Sequence, residues 1–160
     1  MSLRTLAAVA CVLALAAARP SAAEDEPGAH DFPGLGRIKG YEINAVEDKR
    51  FDRFILHLPG HDMPVEGHVM RLKYVPEDTT ASTSAAEIYR TYKFQLGALK
   101  ADVLNDNEAD YNGLIGRFTR NGGNVFVDVN VIDNGGLYDL IVIEEKPFRP
   151  LVQHTAPAKP

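Results

Sequence analysis

The stretch that decides the fold is Arg120–Glu145, RNGGNVFVDVNVIDNGGLYDLIVIEE. Val125, Val127, Val129 and Val131 alternate with Phe126, Asp128, Asn130 and Ile132, the period of two that a β-strand needs to present two faces. Arg120-Asn121-Gly122-Gly123 before this run is turn chemistry, because Asn and Gly tolerate positive φ. Asp133-Asn134-Gly135-Gly136 after it is the same chemistry again, and Leu137–Glu144 is a further apolar run. The two runs therefore predict an antiparallel hairpin.

Upstream of this hairpin, Tyr111, Leu114, Ile115 and Phe118 match helical spacing, but Gly113 and Gly116 would each cost about 1 kcal/mol inside a helix. A strand over Tyr111–Thr119 is the expectation, preceded by an acidic Asn-rich loop, Asn105–Asp110, and a short strand at Val103-Leu104. The helix signal lies further upstream. Ser84 and Glu87 have the spacing of a capping box, and Ala85, Ile88, Tyr92, Leu96 and Leu99 recur on one face, with Arg90 and Lys93 outside it. An apolar stripe of that size needs a sheet to lie on.

Toward the N-terminus, Val65–Val75 alternates, with Met70, Leu72 and Tyr74 on one face and Val69, Arg71 and Lys73 on the other. Pro76 ends it. Before the loop Pro59–Pro64, two short segments, Tyr41–Glu47 and Phe51–Leu58, are separated by Asp48-Lys49-Arg50 and are expected to pair as a hairpin of their own. The expected order is three strands, a helix and four strands. That is an α+β fold, a mainly antiparallel sheet with one amphipathic helix packed on one face.

The ends of the chain set its organisation. Residues 1–23 read as a signal peptide: Arg4 supplies the positive region, Thr5–Ala17 the apolar region, and Ser21-Ala22-Ala23 a small-residue cleavage site. The alternative, Cys11 as a lipid-bearing residue, would leave an apolar region of barely two turns. Cleavage after Ala23 removes Cys11, the single cysteine, so the exported chain can form no disulfide and no thiolate metal site. It also removes Arg4 and Arg19 and no acid, leaving 15 basic against 22 acidic residues and a charge near −7. That charge, without a Lys/Arg cluster in sequence, argues against a nucleic-acid partner. No later stretch approaches the ~20 apolar residues of a membrane span. Residues 24–40, acidic and rich in Pro and Gly, are expected as a flexible lead-in, 41–146 as a single domain, and 147–160 as a Pro-rich tail.

Several of these stretches resemble a known family. Gly40-Tyr41-Glu42, Phe51-Asp52-Arg53-Phe54, Val65-Glu66-Gly67-His68-Val69, Glu87-Ile88-Tyr89-Arg90-Thr91-Tyr92 and the closing run Arg117–Val129 with Leu137–Lys146 look like the N-terminal domain that precedes OmpA-like peptidoglycan-binding modules. The resemblance covers about Gly40 to Lys146 and implies a periplasmic or secreted envelope domain, with no catalytic residues to carry over. The OmpA-like module itself does not follow here, so peptidoglycan binding is not part of what it implies. Such domains have a Gly just past the helix; here Lys100-Ala101-Asp102 stands there and Gly97 sits earlier, so the helix is expected to end before its stripe does.

Candidate sites are few. His57, His61 and His68, with Asp62, Met63 and Glu66 among them, are residue types that hold zinc or copper, though strand and loop histidines are the plainer reading. Ser82, Thr83 and Ser84 offer hydroxyls, but no Gly-x-Ser-x-Gly elbow is present and Ser84 has a capping role. Glu144-Glu145 and Asp106 with Glu108 read as solvated carboxylates, the Gly pairs as turns without a phosphate-loop helix, and the tyrosines as mostly core. The sequence thus points to a non-catalytic, cofactor-free binding or scaffold domain of the envelope whose partner is another envelope protein, docked at a sheet edge. A metal-binding protein using His57, His61 and His68 is the alternative.

Overall fold

The computed structural model describes residues 24–78 and 83–152. The signal peptide, Cys11, Ser82 and the last eight residues of the tail lie outside the described residues. Six strands form one antiparallel sheet: β1 (Tyr41–Leu58), β2 (His61–Pro76), β3 (Asp102–Asn105), β4 (Asn112–Arg120), β5 (Gly123–Ile132) and β6 (Leu137–Glu145), with one helix, α1 (Ala85–Ala98), between β2 and β3. The spatial order is β1-β2-β6-β5-β4-β3. No helix among the described residues is long and apolar enough to cross a membrane.

The two segments expected as separate strands are one. Tyr41–Leu58 runs unbroken through Asp48-Lys49-Arg50 and pairs along its length with β2, so the expected hairpin between its halves is replaced by the Pro59-Gly60 turn to β2. Gly60 takes φ +83°, open to a residue without Cβ, and His61–Pro64, expected as loop, starts β2. The register explains how a charged triplet sits inside a strand. Lys49 opposes Val69 and Asp52 opposes Gly67, so Arg50 and Phe51 together face His68 alone. That is a β-bulge, which bends and twists the strand that carries it.

Gly67 makes the same bend possible on β2. A Cβ there would lie 2.0 Å from the carbonyl oxygen of Glu144 and 2.8 Å from the amide nitrogen of Lys146, so the backbones of β2 and β6 meet where only hydrogen fits. Beyond it the outer half of the β1–β2 hairpin crosses a face of the sheet. Leu56 and Val65, with Phe54, Leu58 and Met63 beside them, pack against Ile115, Phe126, Ile141 and Ile143. β1 thereby touches β4, four places away in the sheet order.

The opposite face carries the larger core. Ile88, Tyr89, Tyr92 and Leu96 of α1 share one buried cluster with Met70, Leu72, Tyr74, Val127, Val129, Tyr138 and Leu140. Gly116, awkward in a helical reading, lies under the helix: a Cβ on it would come within 2.9 Å of Leu96 Cδ1. Tyr138 stacks on Tyr74 with centroids 4.6 Å apart and hydrogen-bonds Tyr92, hydroxyl to hydroxyl, at 3.2 Å. Ser84 Oγ accepts from the Glu87 amide at the helix start. The helix ends before its stripe does, one residue short of Leu99. It runs to Ala98 and closes with Lys100 at φ 55°, Ala101 N–H donating to Leu96 O and Lys100 N–H to Gly97 O, a left-handed cap built without glycine.

Residues 24–40, expected as a flexible lead-in, hold no helix or strand yet pack on this core: Phe32, Leu35 and Ile38 are buried. Arg37 fastens them, pairing through both terminal nitrogens with Asp25 and through Nε with Asp31. Asp31 accepts from the Tyr74 hydroxyl and Asp25 from the Ile43 amide. Charge-assisted pairs of this kind are the strong hydrogen bonds of a protein surface.

One buried acid breaks the pattern. Asp128, on the face covered by the hairpin, is 7 % exposed, and its Oδ1 has no hydrogen-bond partner. Burial pushes its carboxyl up to about 6 from the usual 3.8. A carboxyl raised on folding destabilises the fold once ionised, so the penalty is absent near pH 4 and complete well above pH 6. Asp128→Asn should therefore raise unfolding free energy by about 2 to 3 kcal/mol at pH 8 and hardly at all at pH 4, as read by urea titrations at the two pH values. Two glycine variants test the bend. Gly67→Ala should cost about 3 kcal/mol or prevent folding, whereas Gly97→Ala, with open space around its Cβ inside a helix, should gain about 0.5 to 1 kcal/mol, both read by thermal and urea denaturation.

Candidate functional site

The three histidines are not brought together. His57 Nδ1 bonds Asp62 Oδ1 at 2.8 Å across the exposed hairpin tip, and His61 is exposed beside the turn. His68 lies seven residues further along β2, at the bend. Among the described residues, no group of three or more His, Cys, Asp or Glu is arranged to hold a metal ion. The other candidates are also occupied by structure. Asp106 and Glu108 take Lys93 and Arg90, Tyr89 donates to Asp106, Asn121-Gly122 forms the β4–β5 turn at φ 52° and 79°, and three tyrosines, Tyr41, Tyr74 and Tyr92, are packed around a fourth, Tyr138.

The bend itself makes a concavity. Where the hairpin leaves the sheet, Arg53, Pro64 and Glu66 face the β4–β5 turn and the end of β6, enclosing an open groove of about 750 Å³. Lys146 and Pro147 line this groove and also the neighbouring hollow bounded by Arg50, Phe51 and Arg149. The floor is fixed by backbone, since Lys146 N–H donates to Glu66 O, and by Asn124, whose amide donates to Glu145. No hydroxyl, thiol or imidazole lines the main groove, so what it offers a ligand is charge and backbone polarity.

His68 stands beside the groove as a strap. Its Nδ1 meets Glu144 Oε2 at 3.0 Å and its Nε2 meets Asp48 Oδ1 at 2.5 Å, so one ring ties β1, β2 and β6 at the bulge. Partial burial opposes its charge, but the two carboxylates outweigh that and raise its pKa above the ordinary 6.5. Glu144 is held below the usual carboxylate value by His68 first and Lys146 second.

The free edge of β1 adjoins this site. At its start, Asp25 and Glu26 satisfy the outward amide and carbonyl of Ile43. Further along, Arg53, Ile55 and His57 are exposed at alternate positions, Ile55 by 43 %. Ile55 sits opposite Pro64, which has no N–H, so the pair cannot exchange hydrogen bonds and Ile55 turns its own amide and carbonyl outward.

Sequence reasoning missed the groove because its walls come from the middle of β1, the β4–β5 turn and the chain just after β6. The one local signal was Asp48-Lys49-Arg50, read as a break rather than as a bulge. No protein-family model matches this chain, and no curated protein matches it.

A histidine whose pKa is raised on folding lends stability that is complete below the unfolded value of about 6.5 and lost as pH rises through the folded one. Wild-type stability should therefore decline as pH rises above about 6.5, and His68→Gln should flatten that decline while lowering stability at pH 6, measured as urea midpoints on both sides of that value.

Proposed function

We propose that this protein is an exported, non-catalytic binding domain of the cell envelope that docks another envelope protein along the outer half of β1. The observation that carries the reading is the open edge at Ile55, where an 18-residue edge strand turns backbone donors and acceptors and an apolar side chain to solvent. Exposed edges are ordinarily blunted by bulges and charge, and β1 has both at Lys49–Asp52. The stretch beyond is regularly paired with β2, and past Arg53, whose amide donates to Asp52 Oδ1, Ile55 turns its outer side to solvent, which suits addition of a partner strand. With both faces of the sheet covered, its two edges, β1 and the four-residue β3, are the surfaces left for backbone pairing, and β1 is the longer. The signal-peptide character of residues 1–23 and the likeness to domains that precede OmpA-like modules support an envelope location.

A photo-crosslinking side chain at position 55, expressed in cells, should give a discrete adduct with one envelope protein, and the same group at Lys39 should not. N-terminal sequencing of the crosslinked domain should begin at Glu24. With the crosslinking group moved to position 57, Ile55→Pro, which removes the outward amide and the exposed side chain without costing a β1–β2 hydrogen bond, should abolish the adduct and leave the circular dichroism spectrum unchanged. Adducts of equal yield from positions 55 and 39, or none from position 55, would reject edge docking.

A further inference from the structure

Arginine pairing across the molecule is sharply uneven. Arg37, Arg71, Arg90, Arg117 and Arg120 each have a carboxylate within 4.0 Å. Arg50, Arg53 and Arg149 have none among the described residues, and all three stand at the bend. Arg50 is a bulge residue, Arg53 lies just past it on β1, and Arg149 follows β6. Acids outnumber bases 22 to 17 in this chain, so partners are abundant and three exposed arginines unpaired in one place stand against the general pattern. Their mutual repulsion is relieved when an anion binds.

We propose that Arg50, Arg53 and Arg149, with Lys146 between them, bind an acidic, extended peptide segment of a partner protein. Guanidinium groups form two-pronged hydrogen bonds with carboxylates, and these three are free to do so. The neighbouring surface selects among anions. Glu66 and Glu145 line the groove that holds Arg53, next to the hollow of Arg50 and Arg149, so a dense array of phosphates laid across both would meet like charge, whereas carboxylates spaced along a peptide can reach the arginines and avoid the acids. Apolar surface is interleaved with the charge: Phe51 packs edge-on against Phe148 at 5.4 Å, and Phe148, Leu151 and Val152 are 65 %, 73 % and 74 % exposed. Side chains between the acids of a peptide would cover it. This names a partner chemistry and stands on arginine pairing, so it does not require that the partner's backbone join β1.

The test is fluorescence anisotropy of a labelled peptide of alternating Glu and Val with the exported chain, residues 24–160. Wild type should bind it and not the matching Lys-Val peptide. The variant R50E/R53E/R149E should bind at least about tenfold more weakly, while K39E/K73E/K100E, equal in charge change and remote from the groove, should stay within about twofold. If the charge-reversed chain fails to fold by circular dichroism, R50Q/R53Q/R149Q carries the same expectation of weakened binding. Equal weakening by the two triple variants, or tighter binding to inorganic polyphosphate or phosphatidylglycerol vesicles than to the peptide, would overturn the inference. Ile55→Pro should leave peptide affinity intact. Loss there without loss in the arginine variants would also overturn it, and would leave the edge-docking reading standing.

Discussion

The bend in the β1–β2 hairpin governs this structure, because an antiparallel sheet with apolar residues on both faces needs a second cover. Helix α1 supplies one. Among the described residues the long element left is the hairpin itself, and it can reach the far face only by folding back on the sheet that it begins. Two coincident features allow that: an extra residue on β1 at Arg50-Phe51, and Gly67 opposite Asp52 on β2, where the β6 backbone presses too close for a side chain. Neither suffices alone. A bulge without Gly67 would drive a Cβ into Glu144, and Gly67 without the bulge would leave the two strands in one straight register.

The bend also explains where polar groups collect. Strands that diverge stop satisfying one another, and the groups exposed by the divergence must find other partners. His68 fills part of that need by bonding Asp48 on one side and Glu144 on the other. Lys146 fills another part through its amide to Glu66. Asp128 lies under the folded-back hairpin, on the face where regular apolar packing resumes, and its Oδ1 goes without. A buried carboxylate with a vacant oxygen is an energetic fault in the core, tolerated here beside a strongly hydrophobic contact set.

What could be read from the sequence divides along the same line. The valine ladder of β5, the Asn121-Gly122 turn and the Ser84 cap are each determined by residues within a few positions, and local chemistry sufficed for them. The continuous β1 was not legible, because Asp48-Lys49-Arg50 has loop composition and a bulge is defined by its partner strand rather than by its own residues. The lead-in was misleading for a related reason: its Pro, Gly and acids suggest a loose chain, and the tie that fixes it, Arg37 to Asp25 and Asp31, becomes visible only when the turn brings them together. Histidine identity was visible and histidine placement was not, since strand register sets His68 apart from His57 and His61. The unpaired arginines were beyond local reading altogether, because lacking a partner is a property of the whole fold.

That last feature changes how the net charge should be understood. An excess of acid predicts repulsion of an acidic partner at long range, yet screening limits that field to about 8 Å at physiological ionic strength. Inside that distance the partner meets the local arrangement, in which the other described arginines are already paired with carboxylates and these three are not. Long-range repulsion with short-range attraction disfavours loose association and favours a ligand whose carboxylates fall where Arg50, Arg53 and Arg149 stand. Those positions are set by the bulge, so the geometry that closes the second core also fixes the spacing at which an acidic chain can be recognised.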